Sequence, residues 1–176
     1  MFDKNKWIYE PHENADYRYI LGTVGTHPLF IVGINPSTAT PDNLDNTMKS
    51  AERIAYGNGF DSYIMINVYA QRATNPKDIN KKMNRNMHRE NLMAIEKAFN
   101  SVDGSPEIWA AWGTNICKRI YFKKCLKDLT ELADRRNATW YRAGRLSKNG
   151  HPHHPLYLKS DTKLEKFDIT KYNHNI

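Results

Sequence analysis

Apolar positions along this chain gather in four short runs: Pro28-Leu-Phe-Ile-Val-Gly-Ile34, Ser62-Tyr-Ile-Met-Ile-Asn-Val68, Glu107-Ile-Trp-Ala-Ala-Trp112 and Ala138-Thr-Trp-Tyr141. Their length and their β-branched or aromatic content predict buried strands, and Gly, Pro or Asn bounds three of them. Helical spacing fills the intervals. Residues 47–56 follow a capping Asp45 and meet the stop signals Gly57 and Gly59. Residues 85–99 put Met87, Asn91, Ala94, Ile95 and Ala98 on one face, and residues 114–133 do the same with Ile116, Cys117, Ile120, Leu126 and Leu129. Strands alternating with helices predict an α/β fold of three layers, α/β/α, around a mainly parallel central sheet. No repeat or long linker interrupts the 176 residues, so one domain over 1–176 is expected.

Sheets of this kind seat ligands beyond the carboxyl ends of their strands. After the first run comes Gly33-Ile34-Asn35-Pro36-Ser37-Thr38. Gly33 permits close approach to the backbone, Pro36 fixes a turn that points Asn35 outward, and the hydroxyls offer a seat for a phosphate or a water. The same residues also suit a plain Asn-Pro turn with a Ser/Thr cap. The second run ends at Asn67, whose amide either reads a base edge or ties down a loop. Arg72 and Thr74 follow; Arg72 holds a phosphate or carboxylate, or else pairs with an acid such as Asp45. The third run ends Trp112-Gly113, an indole that either stacks on a ring or fills the core.

Charge adds one more feature. Lys and Arg number 26 against 19 acids, a formal net charge of +7, which favours phosphate-rich partners such as nucleic acid or equally a solvated lysine-rich surface. Lys118, Arg119, Lys123, Lys124 and Lys127 follow Gly113 as a basic stripe. Gly150-His-Pro-His-His-Pro155 holds three histidines, but its prolines force an extended loop and no carboxylate or cysteine lies nearby in sequence. The expected role is a rigid loop aiming His154 into a pocket as a hydrogen-bond donor, with no metal and no cofactor. Cys117 and Cys125 sit eight positions apart, too far on a helix to bond, and read as ordinary helix residues. No apolar run is long enough for a membrane span, so a cytoplasmic protein with no membrane partner is expected.

Together these motifs resemble, in chain order, the uracil-DNA glycosylase superfamily. Gly33 to Pro36 is similar to its water-positioning motif in the mismatch-specific branch. Ile64 to Asn67 is similar to the strand whose final Asn reads a flipped uracil, Ala111-Trp112-Gly113 to its apolar strand ending in Trp-Gly, and His154-Pro155-Leu156 to its histidine–proline loop. The match departs where Thr38 and Ala39 replace an aromatic shelf for the base, and where Leu156 stands in place of the usual phosphate-gripping Ser. Over most of its length the chain also resembles the DUF1643 family. That family's pattern reads here as Asn35 to Thr38, Asp45 to Thr47, Asn67 with Arg72 to Thr74, Trp112-Gly113, and Gly150 to Leu156.

The superfamily resemblance implies a glycosylase-like fold and a hydrolase of the DNA-repair type. Asn35 would hold water and His154 would stabilise the leaving base. Asn67 would read the base, while Lys118, Arg119 and Lys148 would hold the DNA backbone. Two other readings stand beside it. In one the pocket binds or senses a nucleotide without chemistry, with Ser37, Thr38, Arg72 and Thr74 around the phosphate. In the other it acts on a free nucleoside or nucleotide.

Overall fold

The computed structural model describes residues 2–11 and 16–176; Met1 and residues 12–15, which the sequence reading places in the same domain, lie outside them. Seven strands form one sheet: β1 (Trp7–Glu10), β2 (Ile20–Thr23), β3 (Pro28–Gly33), β4 (Ser62–Asn67), β5 (Glu107–Ala110), β6 (Thr139–Ala143) and β7 (Leu164–Lys166). Among the described residues, four α-helices accompany them: α1 (Asn46–Gly57), α2 (Arg85–Asn100), α3 (Tyr121–Asp134) and α4 (Ile169–Asn175). The strand order is β1-β2-β4-β3-β5-β6-β7. The four strands expected from the apolar runs form a parallel centre; β2 and β7 join it antiparallel, and β1 pairs antiparallel with β2.

The pleat of β3 shows how the layers arise, because alternate side chains leave a strand on opposite faces. Leu29 and Ile31 join Met48, Ala51 and Ile54 of α1 in one core. Phe30 and Val32 join Ile95 and Phe99 of α2, and Phe122, Leu126 and Leu129 of α3, in the other. Helices therefore cover both faces, and β3 is buried on each. All four of those strand residues are fully buried, each contributing about 1.5–3 kcal/mol by leaving water. Truncating Ile31 to Ala would cost about 2–5 kcal/mol.

Three differences from the sequence pattern have physical causes. β1, β2 and β7 escape it because they are only three or four residues long, and Gly22 interrupts the apolar run of β2, which lies between β1 and β4. The single helix expected over 114–133 is broken. A 3-10 turn spans Gly113–Lys118, Arg119 is extended (φ −137°, ψ 134°), and α3 starts at Tyr121. The Arg119 guanidinium reaches across to the carbonyls of Lys77 (2.9 Å) and Asn80 (3.2 Å), which holds the chain open there. Ile120, expected on the apolar face, is 93% exposed as a result. Among the described residues, no helix is long and apolar enough to cross a membrane.

Candidate functional site

The chain leaves the carboxyl end of β3 toward β4 on one side, and that of β5 toward β6 on the other. A crevice opens where the direction reverses, the usual ligand site of such sheets. Here it is a cleft of about 470 Å³, lined by Gly33, Ile34, Asn35 and Ser37 after β3, Asn67 at the end of β4, Gly113 after β5, and the loop from Pro152 to Tyr157. That volume lies within the range of about 300–1,000 Å³ common for small-molecule sites. The parallel register sets Gly33 directly beside Asn67.

Three polar side chains line this cleft with defined roles. Asn67 is 2% exposed, and its amide nitrogen has no hydrogen-bond partner among the described residues. Its backbone carbonyl accepts from the Asn91 amide of α2 at 2.9 Å, which fixes the strand end. Asn35 donates through its amide nitrogen to the carbonyls of Ala73 (2.8 Å) and Pro36 (3.1 Å). Only an NH₂ group satisfies those acceptors, so the Asn35 oxygen remains as an acceptor for a ligand or water. His154 Nδ1 accepts from the Leu156 N–H at 3.3 Å, which leaves the proton of the neutral ring on Nε2. Burial pushes the His154 pKa below its ordinary value, and Asp45 opposes the shift. The ring is therefore a neutral donor at pH 7. Gly113, at φ +63°, turns the chain beside it, and a Cβ there would meet the His154 Cβ at 3.4 Å.

One wall is built from charge. Asp45 caps α1 by accepting from the Met48 N–H at 2.8 Å, and the Ser37 hydroxyl donates to its other oxygen. Behind this lie two guanidinium groups carried by paired segments. Arg18 N–H donates to the Ala70 carbonyl and Arg72 N–H to the Asp16 carbonyl, on either side of the Tyr17–Gln71 bridge. Arg18 Nη1 and Arg72 Nη1 both donate to the Ala39 carbonyl, at 2.8 and 3.4 Å. Arg72 also bonds the Ser37 carbonyl (3.0 Å) and the Tyr9 hydroxyl (2.5 Å). Arg18 lines the cleft and is 2% exposed. Burial, and then the neighbouring Arg72, pull it down to about 10, with Asp45 acting in the opposite direction.

Arg18 was not among the residues the sequence singled out. The available signal was a cation inside Asp16-Tyr-Arg-Tyr-Ile20, leading directly into a buried strand. Of the expected residues, Gly33, Ile34, Asn35, Ser37, Asp45, Asn67, Thr74, Gly113, His154 and Pro155 line one cleft. Pro36 is buried beside it and Thr38 is exposed. Trp112 is fully buried in the core, and its Nε1 donates to the Tyr172 hydroxyl at 2.9 Å. Arg72 supports the wall from behind. Arg119 is spent on backbone carbonyls, while Lys118 and Lys148 are exposed and do not line the cleft.

The histidine loop divides between two cavities. His153 and His154 line the cleft. His151 lines a second cavity of about 510 Å³ with Cys117, Lys171 and Tyr172. There its Nδ1 lies 2.8 Å from the Tyr172 hydroxyl and its Nε2 3.4 Å from the Cys117 sulfur. Cys117 therefore sits in the 3-10 turn beside a histidine, whereas Cys125 is buried in α3.

Comparison with known proteins yields one match. A family model described as "Protein of unknown function (DUF1643)" covers residues 18–156. No curated protein and no solved structure matches the chain significantly. The matched span takes in every strand-end motif described above and most of the chain, and the protein belongs to the DUF1643 family.

Proposed function

We propose that the cleft recognises a nucleobase and that the protein hydrolyses the N-glycosidic bond holding it, on a uracil-DNA glycosylase-like fold. The observation that carries this reading is the Asn67 amide: buried, without a partner for its nitrogen among the described residues, and lining the same cleft as Asn35 and His154. A buried unpaired donor costs about 1–3 kcal/mol, which is tolerable where a ligand supplies the acceptor. A carboxamide offers a donor and an acceptor side by side, the complement of a lactam edge such as O=C–N–H on a base.

The neighbouring groups suit the reaction. A water held by the Asn35 oxygen attacks the anomeric carbon. The carbon–nitrogen bond breaks and its electron pair leaves with the base. His154 Nε2–H stabilises the negative charge on that base, acting as a preorganised donor. The proton released from the water then passes to the departed base. Asn35 is no base, so the bond to the leaving group must be largely broken before water attacks.

A second reading, binding of a free nucleotide without turnover, draws support from the buried Arg18. Both readings are tested by one screen. Oligonucleotides bearing uracil, mismatched thymine, hypoxanthine or hydroxymethylated bases are treated with alkali after incubation, and mononucleotides are analysed for free base. Release of one base class, abolished in Asn35→Ala, supports hydrolysis. Saturable binding without release supports the second reading. The absence of both release and binding would overturn base recognition.

A further inference from the structure

We infer that Arg18 makes the cleft a receptor for a terminal phosphate monoester, so that its ligand is a free nucleoside monophosphate rather than an internal nucleotide of a nucleic acid chain. The inference rests on the base-recognition reading for the nucleoside half of the ligand, but the phosphate subsite stands on separate residues.

Arg18 is 2% exposed, yet its described hydrogen bonds use only Nη1, on a single backbone carbonyl. Its Nε is buried with no partner among the described residues, and so is the Nε of Arg72 next to it. Burying a guanidinium costs several kcal/mol unless a counter-charge and further hydrogen bonds offset it. One neutral carbonyl does not. Neither arginine forms an ion pair among the described residues. The nearby acid, Asp45, already accepts from the Ser37 hydroxyl and the Met48 N–H. Two guanidinium groups against one carboxylate leave a local excess of positive charge in a recessed, partly dehydrated wall. An arginine fork matches phosphate geometry in a bidentate way, and a monoester brings about −1.5 to −2 charges at pH 7.

The recess decides the source of the phosphate. An internal phosphodiester continues along the chain in both directions, so it reaches a buried cation only if the strand itself enters the cleft. A terminal phosphate enters alone. The basic groups that a nucleic acid backbone would use at the surface, Lys118 and Lys148, do not line this cleft.

The test is calorimetric titration of the full-length protein with inorganic phosphate, with the common nucleosides and their 5′-monophosphates, and with a short unphosphorylated oligonucleotide. The expected result is that a monophosphate binds at least 30-fold tighter than its nucleoside. Arg18→Gln should erase most of that advantage, and Arg18→Lys, which retains the charge without the fork, should retain part of it. If Arg18→Gln does not fold, the Arg18→Lys and wild-type comparisons still decide. Phosphate binding lost in the Arg18 variants, with no nucleoside bound by any of them, would uphold the anion subsite and overturn base recognition. Equal affinity for nucleoside and monophosphate in the wild-type protein, or tightest binding of the unphosphorylated oligonucleotide, would overturn the phosphate subsite.

Discussion

Gly33 and Asn67 end two adjacent parallel strands in direct register, and a methyl group on Gly33 would stand 2.8 Å from the Asn67 side-chain oxygen. The absence of a side chain at one position thus permits the amide at the other. Gly33→Ala has only the end of a short side chain to displace, so the fold should persist with a modest loss of about 1 kcal/mol. Binding of nucleoside should weaken tenfold or more. Thermal unfolding and calorimetry on this variant check the two effects separately.

His154 gives the cleft a pH dependence of known sign. Its folded pKa is depressed by burial, with Asp45 opposing, so binding should be flat at neutral pH and fall in acid. The midpoint should lie below the ordinary histidine value of about 6.5. Protonation of Nδ1 removes its bond from the Leu156 N–H. The linked stability runs the same way: the unfolded chain takes up the proton first, so stability is lost as pH falls through about 6.5. His151, depressed by burial and by Lys123, adds to that loss. With a nucleoside as ligand, which carries no titrating phosphate, the acid limb of binding should vanish in His154→Gln, as titrations from pH 5 to 8 would reveal.

Asp45 combines two duties that substitutions separate. Asparagine caps a helix about as well as aspartate, whereas alanine loses about 0.5–2 kcal/mol. Asp45→Asn should therefore retain the cap and lose only the carboxylate near Arg18, and Asp45→Ala should lose both. Urea denaturation should rank the variants wild type, Asn, Ala. Added inorganic phosphate should restore more of the loss in Asp45→Asn than in Asp45→Ala.

Arg119 is expected to matter for stability rather than for ligands. It fastens the segment after Gly113 to the carbonyls of Lys77, Ile79 and Asn80. Arg119→Ala should cost about 1 kcal/mol, because the Ile79 carbonyl is part-buried while those of Lys77 and Asn80 are exposed and can turn to water. Affinity for a nucleotide should stay within about twofold of wild type. A large affinity loss at unchanged stability would place Arg119 in a binding surface instead.

The parallel centre of the sheet was legible because its strands are buried on both faces and read as continuous apolar runs. The strand-end residues Gly33, Asn35, Asn67 and Gly113 followed from the placement rule for such sheets, and His154 from the proline-stiffened loop that carries it. What stayed hidden depends on contacts distant in sequence. Arg18 becomes a cleft residue only because residues 16–18 pair with residues 70–72, and no local pattern announces that. Trp112 has the same local sequence whether it faces a ligand or the core, and only the packing of α4 against it, through Tyr172, distinguishes the two. The break at Arg119 likewise comes from a partner loop some forty residues earlier.

The most direct test of base recognition is to replace Asn67 by leucine, which is similar in shape but offers no hydrogen bonds. Nucleoside or nucleotide binding and thermal unfolding should be measured on the same preparation. An amide held for a ligand should prove dispensable to the fold: the expected result is unfolding within about 1 kcal/mol of wild type, or above it, since an unpaired buried donor is removed. Binding should fall by tenfold or more. A variant that binds as well as wild type, or that unfolds while the wild-type protein binds no base, nucleoside or nucleotide, would contradict it.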